Sequence, residues 1–123
     1  MTTKVLVVDD SAMSRKVLIR ALPADWDIEI QEASDGAEAV EIVMQNAVDI
    51  MFLDLTMPVL DGYGVLEKLQ QENKTPLVIV VSADIQTDAE TRVKNLGATA
   101  FMKKPTQADD LLPVLIANKL YGN

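Results

Sequence analysis

Acidic, hydroxyl and amino side chains follow several apolar runs of this chain. The stretch VLVVDDS leads into Asp9 and Asp10, and the stretch IMFLD ends at Asp54. Ser82 ends a later apolar run, VIVVS, and Lys104 follows shortly after another. Three carboxylates that lie close together repel one another unless cations compensate their charge. Lys104 supplies one positive charge, and a divalent ion with oxygen ligands would supply the other two.

The charge balance favours Mg²⁺ as that ion. Magnesium binds through one or two carboxylates, keeps several waters and leaves a coordination position for a phosphoryl oxygen. A carboxylate beside Mg²⁺ and a lysine can attack phosphorus and form an aspartyl phosphate. Both cations would neutralise the charge of the transferring group. We therefore expect a metal-assisted phosphoryl-transfer site, although a single acid at a strand end is often only a turn former or helix cap.

The elements that position these residues alternate between strand and helix patterns. Residues 4–8, Ile50–Leu53 and 77–81 are continuous apolar runs, which is typical of strands buried on both faces of a parallel sheet. The alternating run Ile28–Ala33 and the half-polar run Ala100–Lys103 are typical of edge strands. Strands that alternate with helices predict a doubly wound α/β sheet.

Segments with helical spacing separate the strands: 13–21, 36–47, 62–69, 87–96 and one from about residue 106. The stripe of the first helix comprises Met13, Val17, Leu18 and Ala21. Asp35 followed by Glu38 predicts a capping box at the second start. The fourth has the fewest apolar residues, so we expect it to be the least anchored. Pro113 lies inside the fifth pattern and should kink that helix or shift its start.

Ligands of doubly wound sheets bind in the crevice beyond the carboxyl ends of the strands. Asp9, Asp10 and Asp54 are therefore expected at the mouth of that crevice and not in the core. Ser82 and Lys104 follow strands that end at the same edge. The five side chains are thus predicted to form one site.

Composition excludes several classes of function. The chain has 19 acidic and 11 basic residues and a net charge of −8, which disfavours binding to nucleic acid or to anionic membranes. It contains no cysteine and no histidine, which excludes disulfides, thiolate or imidazole metal sites and serine–histidine catalysis. The amino terminus lacks a signal-peptide pattern, and residues 77–81 are too few to span a bilayer. We expect a single cytoplasmic domain.

In its motifs the chain resembles the receiver domain of two-component response regulators, especially the single-domain chemotaxis type. The resemblance rests on VLVVDDS with Arg15, ASDGAEA, FLDLTMPVLDGYGVL, VIVVSA and FMKKP, in family order and spacing. It covers nearly the whole chain. It implies a flavodoxin-like strand order 2-1-3-4-5 with helices on both faces of the sheet. It also implies one receiver domain over residues 1–123 with no output domain.

The resemblance implies a role for each residue of the metal site. Asp54 would be the phosphoacceptor and would also contribute to metal binding. Asp10 and the backbone carbonyl of Thr56 would bind Mg²⁺ directly, whereas Asp9 would hold the ion through water.

The resemblance also implies how the remaining residues act. Ser82 would hydrogen-bond the phosphoryl group with the backbone N–H of Ala83 nearby, and Lys104 would pair with it. The Lys104–Pro105 bond would be cis. Phe101 stands where the family has its aromatic switch residue, so Ser82 and Phe101 would move together on phosphorylation.

The implied function is a signalling switch that is not an ordinary enzyme. A histidine kinase or histidine phosphotransfer protein would phosphorylate it with the help of its own residues, and it would dephosphorylate itself. As a monomer, it would bind an effector through the fourth helix, fifth strand and fifth helix. A phosphate sink or a phosphorelay intermediate is the alternative.

Two other classes of protein share parts of the pattern. An aspartate-nucleophile phosphatase of the haloacid-dehalogenase type would need a second acid where this chain has Thr56. A flavodoxin-like FMN protein would need a phosphate-binding loop after the first strand, where Asp9 and Asp10 would repel the phosphate.

Overall fold

The computed structural model describes residues 2–83 and 88–121, in which strands and helices alternate. The strands are β1 (Thr3–Val8), β2 (Ile28–Ala33), β3 (Ile50–Leu53), β4 (Leu77–Ser82) and β5 (Ala100–Lys103). The helices are α1 (Ala12–Ala21), α2 (Gly36–Gln45), α3 (Gly62–Gln71), α4 (Ala89–Asn95) and α5 (Ala108–Ala117). Every strand that the sequence predicts is present, with ends that differ by at most one residue.

The strands form one parallel sheet in the order β2-β1-β3-β4-β5. Val8 at the end of β1 pairs with Leu53 at the end of β3, so these two strands end side by side. The order confirms the flavodoxin-like prediction and places β2 and β5 at the two edges. The burial pattern agrees, since all four residues of β3 are buried whereas β2 alternates.

The core has two layers, one on each face of the sheet. Side chains of α2, α3 and α4, such as Val43, Leu66 and Val93, pack on one face. Leu18 of α1 and Leu111 of α5 pack on the other. Helices on both faces are therefore confirmed. Among the described residues, no helix is both long enough and apolar enough to cross a membrane.

Parts of the helix predictions differ from the structure. Met13 and Val17 were expected in the buried stripe of α1, but they are 67% and 37% exposed; this part of the prediction was wrong. Helix α5 is one continuous helix that begins at Ala108 and runs through Pro113, so the expected later start is not observed. Thr87, the expected first residue of α4, lies outside the described residues.

Side-chain hydrogen bonds cap three of the helices. Asp35 accepts from the backbone N–H of Glu38 at 2.8 Å, as the capping box predicts. The reciprocal bond differs from the expected one, because the Glu38 carboxylate accepts from the backbone N–H of Ser34 at 2.7 Å. Ser11 and Asp61 cap α1 and α3 in the same manner.

Candidate functional site

The predicted site residues lie one step beyond the ends of the strands. The backbone N–H of Asp9 donates to Ala33 at the end of β2 at 3.1 Å. The N–H of Asp54 donates to Val8 at the end of β1 at 3.0 Å. The backbone of each aspartate therefore continues the hydrogen-bond ladder of the sheet by one residue, and the neighbouring strand holds it in place. Lys104 is held similarly, since its N–H donates to the carbonyl of Ser82 at 3.0 Å.

The three aspartates form one cluster. Oxygen atoms of Asp9, Asp10 and Asp54 all lie within 4.8 Å of one another. Asp10 is exposed, but Asp9 and Asp54 are each only 5% exposed. The expectation that all three stay outside the core is therefore correct for Asp10 alone. The pattern of apolar runs located the strand ends, but it could not show how deeply Asp9 and Asp54 are buried.

Lys104 reaches into this cluster. Its Nζ lies 2.6 Å from Asp9 Oδ2 and 3.4 Å from Asp54 Oδ1. Burial acts to lower the pKa of the Lys104 amine, but the hydrogen bond to Asp9 and the charges of Asp54 and Asp9 outweigh it and leave the pKa raised. The lysine is therefore fully charged at neutral pH. The Lys104–Pro105 peptide bond is cis, as the resemblance implies.

At Asp54, in contrast to Lys104, the effect of burial on the pKa outweighs the attraction of the opposite charge. Burial raises its pKa above the ordinary value of 3.8, the charge of Asp9 raises it further, and the attraction of Lys104 only partly offsets these effects. Its ionised form is thus stabilised incompletely by the chain itself. A further cation near Asp54 would favour that ionised form.

The donor set fits Mg²⁺. Hard divalent ions bind oxygen ligands, and Mg²⁺ takes one or two carboxylates together with waters. Asp9 is already engaged, because its Oδ1 accepts from the N–H of Ser11 at 2.9 Å and its Oδ2 contacts Lys104. Asp10 and Asp54 would therefore provide the direct carboxylate ligands, and Asp9 would act through water.

The remaining predicted residues lie on β4 and β5 or in the chain that follows β3 and β4. Ser82 is 1% exposed at the end of β4 and has an interaction partner in the structure. Ala83, next along the chain, is exposed, as is Thr56 two residues beyond Asp54. Phe101 on β5 is partly buried and packs against the core layer that contains Val93.

The structure adds two features that the sequence did not indicate. A cavity of about 320 Å³ extends from Asp54 and Lys104 along α1, where Met13 and Val17 line it. Arg15 donates to the backbone carbonyl of Asp9 at 2.6 Å. Exposure of apolar residues on one side of a helical stripe gives no sequence signal, since the same spacing predicts burial.

Comparison with known proteins assigns the chain to a family. The response regulator receiver domain matches residues 5–116. The chain belongs to this receiver domain family, whose members are phosphorylation-dependent switches of two-component signalling.

Two individual proteins are similar to most of this chain. A protein-glutamate methylesterase/protein-glutamine glutaminase of Symbiobacterium thermophilum is 43% identical over 105 residues, which are 84% of this chain and 29% of that protein. The probable transcriptional regulator ycf27 of Guillardia theta is 35% identical over 108 residues, 88% of this chain and 42% of that protein. The chain therefore spans less than half the length of these relatives.

Solved structures show the same architecture. The response regulator domain of Thermotoga maritima CheB has a TM-score of 0.79 and 30% identity, and the match covers 96% of this chain and 93% of that one. Vibrio cholerae chemotaxis protein CheY4 has a TM-score of 0.82 and 27% identity, with 95% and 98% covered.

Proposed function

We propose that Asp54 accepts the phosphoryl group of this switch. The observation that carries the proposal is the position of the Lys104 amine, 2.6 Å from Asp9 and 3.4 Å from Asp54. A cation held at the oxygens of Asp54 would pair equally well with a phosphoryl group attached to them. Asp9 would retain Lys104 in the crevice before the phosphoryl group arrives.

The transfer itself needs little covalent chemistry from the protein. An oxygen of Asp54 forms the new O–P bond while the P–N bond of the donor phosphohistidine breaks. The electron pair of the broken bond stays on the imidazole nitrogen, which then takes up a proton. Lys104 offsets the charge on the phosphoryl oxygens throughout, and bound Mg²⁺ supplies further neutralisation there.

Intact-mass measurement after incubation with acetyl phosphate tests the assignment. Wild-type protein should gain one phosphoryl group with Mg²⁺ and none after the ion is chelated. Asp54→Asn should gain none under either condition. Asp10→Asn, which leaves Asp54 in place, should still be labelled when Mg²⁺ is raised. Equal labelling of wild type and Asp54→Asn would refute the assignment.

We propose that the partner proteins are a histidine kinase or phosphotransfer protein and an effector. Because these 123 residues contain no histidine, the donor imidazole lies outside them. The proposed effector surface, termed the output face, consists of α4, β5 and α5. Its support is that α4 is short, with only Ala89 and Val93 buried, so a shift of this helix should cost little.

Amide-shift mapping with beryllofluoride and Mg²⁺ tests the output face. Beryllofluoride is a phosphoryl mimic, and its shifts should extend from Asp54 through Phe101 to α4 and α5. If the shifts stop at the loops around Asp9, Asp54 and Lys104, a phosphate sink or relay intermediate becomes the better assignment.

A second candidate concerns the whole protein. Relatives with 43% and 42% identity are named protein-glutamate methylesterase/protein-glutamine glutaminase, and this chain corresponds to only 29% and 30% of them. The chain could serve as the regulatory part of such an enzyme, whereas the resemblance to single-domain chemotaxis proteins favours a diffusible cytoplasmic effector. The native protein's mass distinguishes the two: 13.5 kDa supports the diffusible effector, and a much larger mass supports the enzyme.

A further inference from the structure

Arg15 of α1 is tied to the site through two short hydrogen bonds. Its Nη1 donates to the backbone carbonyl of Asp9 at 2.6 Å, and its Nε donates to Glu32 Oε1 on β2 at 2.7 Å. Only 17% of the Arg15 side chain is exposed, against 47% for Glu32. The planar guanidinium suits this arrangement, because its N–H groups have fixed directions and can serve two acceptors at once.

The carbonyl that Arg15 holds belongs to the peptide that joins Asp9 to Asp10. The Asp9 carboxylate is fixed independently by the N–H of Ser11 and by Lys104. The exposed Asp10, which would be a direct metal ligand, follows the peptide that Arg15 fixes. The orientation of this peptide plane therefore sets the starting direction of the Asp10 backbone and restricts the positions that the Asp10 carboxylate can reach.

We propose that Arg15 is a positioning residue for the divalent-cation site, which it serves by fixing the Asp9–Asp10 peptide so that the Asp10 carboxylate faces Asp54. The proposal rests on the function proposed above, since it takes the aspartate cluster to be a cation site. Arg15 contacts neither the ion nor the phosphoryl group. Glu32 accepts the second hydrogen bond of the guanidinium but is itself largely exposed.

Charge and positioning predict effects of opposite sign when Arg15 is replaced. Removal of a positive charge near an acidic cluster strengthens the attraction for a cation, so charge alone predicts tighter Mg²⁺ binding by Arg15→Ala. Loss of the bond to the Asp9 carbonyl frees the peptide plane, so positioning predicts weaker binding. The direction of the change therefore separates the two explanations.

Titration with MgCl₂ alone, followed by the amide shifts of the Asp9–Ser11 loop, measures this direction. Arg15→Ala should bind Mg²⁺ about tenfold more weakly than wild type, as for other residues that orient metal ligands. Arg15→Lys keeps the charge but cannot make both bonds, so it should also bind more weakly. This variant decides the question if Arg15→Ala does not fold.

Glu32→Gln is the matched control. Its amide oxygen can still accept from Arg15 Nε, so the bond to the Asp9 carbonyl should persist. An exposed ion pair contributes little, and Mg²⁺ affinity should stay within about threefold of wild type. Unchanged or tighter binding by the Arg15 variants would overturn the proposal. An equal loss of Mg²⁺ affinity in Glu32→Gln would also overturn the proposal. The weaker binding would then be explained by loss of the Arg15–Glu32 contact between α1 and β2, without the bond to the Asp9 carbonyl.

Failure of this proposal differs from failure of the proposed function. If wild-type protein shows no Mg²⁺-dependent shifts at Asp9, Asp10 and Asp54, the cation site itself is wrong and both proposals fall. If wild type responds and the folded Arg15 variants respond with the same affinity, only the role of Arg15 is refuted. Amide spectra recorded without Mg²⁺ establish that each variant is folded.

Discussion

The first three helices and the last two begin in different ways. Ser11, Asp35 and Asp61 each accept a hydrogen bond from a backbone N–H in the first turn of α1, α2 and α3. Within the described residues, Asp88 and Gln107, which precede α4 and α5, make no such side-chain bond. An N-cap bond of this kind contributes about 1 kcal/mol. The carboxyl-terminal part of the fold is therefore less firmly fixed.

This difference separates the two components of the site. Asp9, Asp10 and Asp54 follow β1 and β3 in the capped part. Ser82 ends β4 and Lys104 follows β5, in the part with uncapped helices. Local unfolding free energies vary across a protein, and poorly anchored elements move first. In such a switch the carboxylate oxygens of Asp54 would stay in place while the Lys104 amine and the Ser82 hydroxyl move. The neighbouring helices α4 and α5 would transmit this movement.

The largest predicted effect tests the rigidity of the capped part. A Cβ on Gly36 would lie 2.0 Å from the backbone oxygen of Leu60, so Gly36→Ala forces α2 away from the loop that follows Asp54. Overpacking of this severity costs about 3 kcal/mol. Gly36 is the first residue of α2, where Ala gains little helix propensity, so urea unfolding should show a loss of about 3 kcal/mol.

Gly97→Ala is the matched control outside the capped helices. Its nearest neighbour, Gln70 Nε2, would lie 3.5 Å from the new Cβ, which is an ordinary contact. The cost comes only from its φ of +104° and should be about 1 kcal/mol. A larger loss for Gly97→Ala than for Gly36→Ala would contradict the proposed difference in rigidity.

Asp54→Asn should stabilise the metal-free protein by about 1 kcal/mol. The substitution removes a buried charge and its repulsion with Asp9, and it loses the attraction to Lys104. The melting temperature should rise by a few degrees. Saturating Mg²⁺ should reduce this difference in stability between the variant and wild type, because the ion binds the folded wild type more tightly than it binds the variant.

The pH dependence of this gap has a definite sign. A carboxyl group whose pKa is raised on folding adds stability below its ordinary pKa and loses that contribution as pH rises through the raised value. Below the ordinary pKa of 3.8, wild type should therefore be as stable as Asp54→Asn. At higher pH, wild type should be less stable than the variant. A gap that stays constant or shrinks as the pH increases would show that Asp54 is not destabilised by burial.

The caps themselves provide a smaller test. Asp61→Ala removes the 2.9 Å bond from the N–H of Gly64 and should cost about 1 kcal/mol. Asp88→Ala removes a residue with no side-chain cap bond within the described residues and should cost about 0.3 kcal/mol or less. Equal losses in urea unfolding would mean that the difference between the helix starts has no energetic consequence.

Most of the fold and the membership of the site could be predicted from the sequence. The apolar runs of β1, β3 and β4 are continuous because both faces of a central parallel strand are covered. The same property locates Asp9, Asp54 and Ser82, since each stands where such a run ends. Strand ends are a local signal, and the parallel arrangement then brings them together.

What the sequence did not indicate depends on contacts between distant elements. Met13 and Val17 follow the spacing of a buried stripe, yet they line the cavity beside Lys104 and are exposed. The depth of Asp54 depends on the loop that returns over it, where Gly62 donates to Leu55 at 3.0 Å. The tie from Arg15 to the Asp9 carbonyl joins two elements whose relative angle no local pattern specifies.

The last prediction concerns the contact between α3 and α4. The guanidinium carbon of Arg92 on α4 lies 3.8 Å from the centre of the Tyr63 ring on α3. A cation–π contact at an exposed site contributes about 0.5–1 kcal/mol. Arg92→Ala should therefore lower the free energy of unfolding by about 0.5 kcal/mol.

A double-mutant cycle with Tyr63→Leu isolates this contact from the other interactions of both residues. The coupling energy should be about 0.5 kcal/mol and should persist when Tyr63→Phe, which keeps the ring, replaces wild type as the reference. Hydrogen exchange gives the local view: in Arg92→Ala the amides of α4 should exchange faster, and those of α2 should not change. Equal acceleration in both helices would mean that the mutation acts on global stability, so α4 would be as firmly integrated in the fold as the capped helices are.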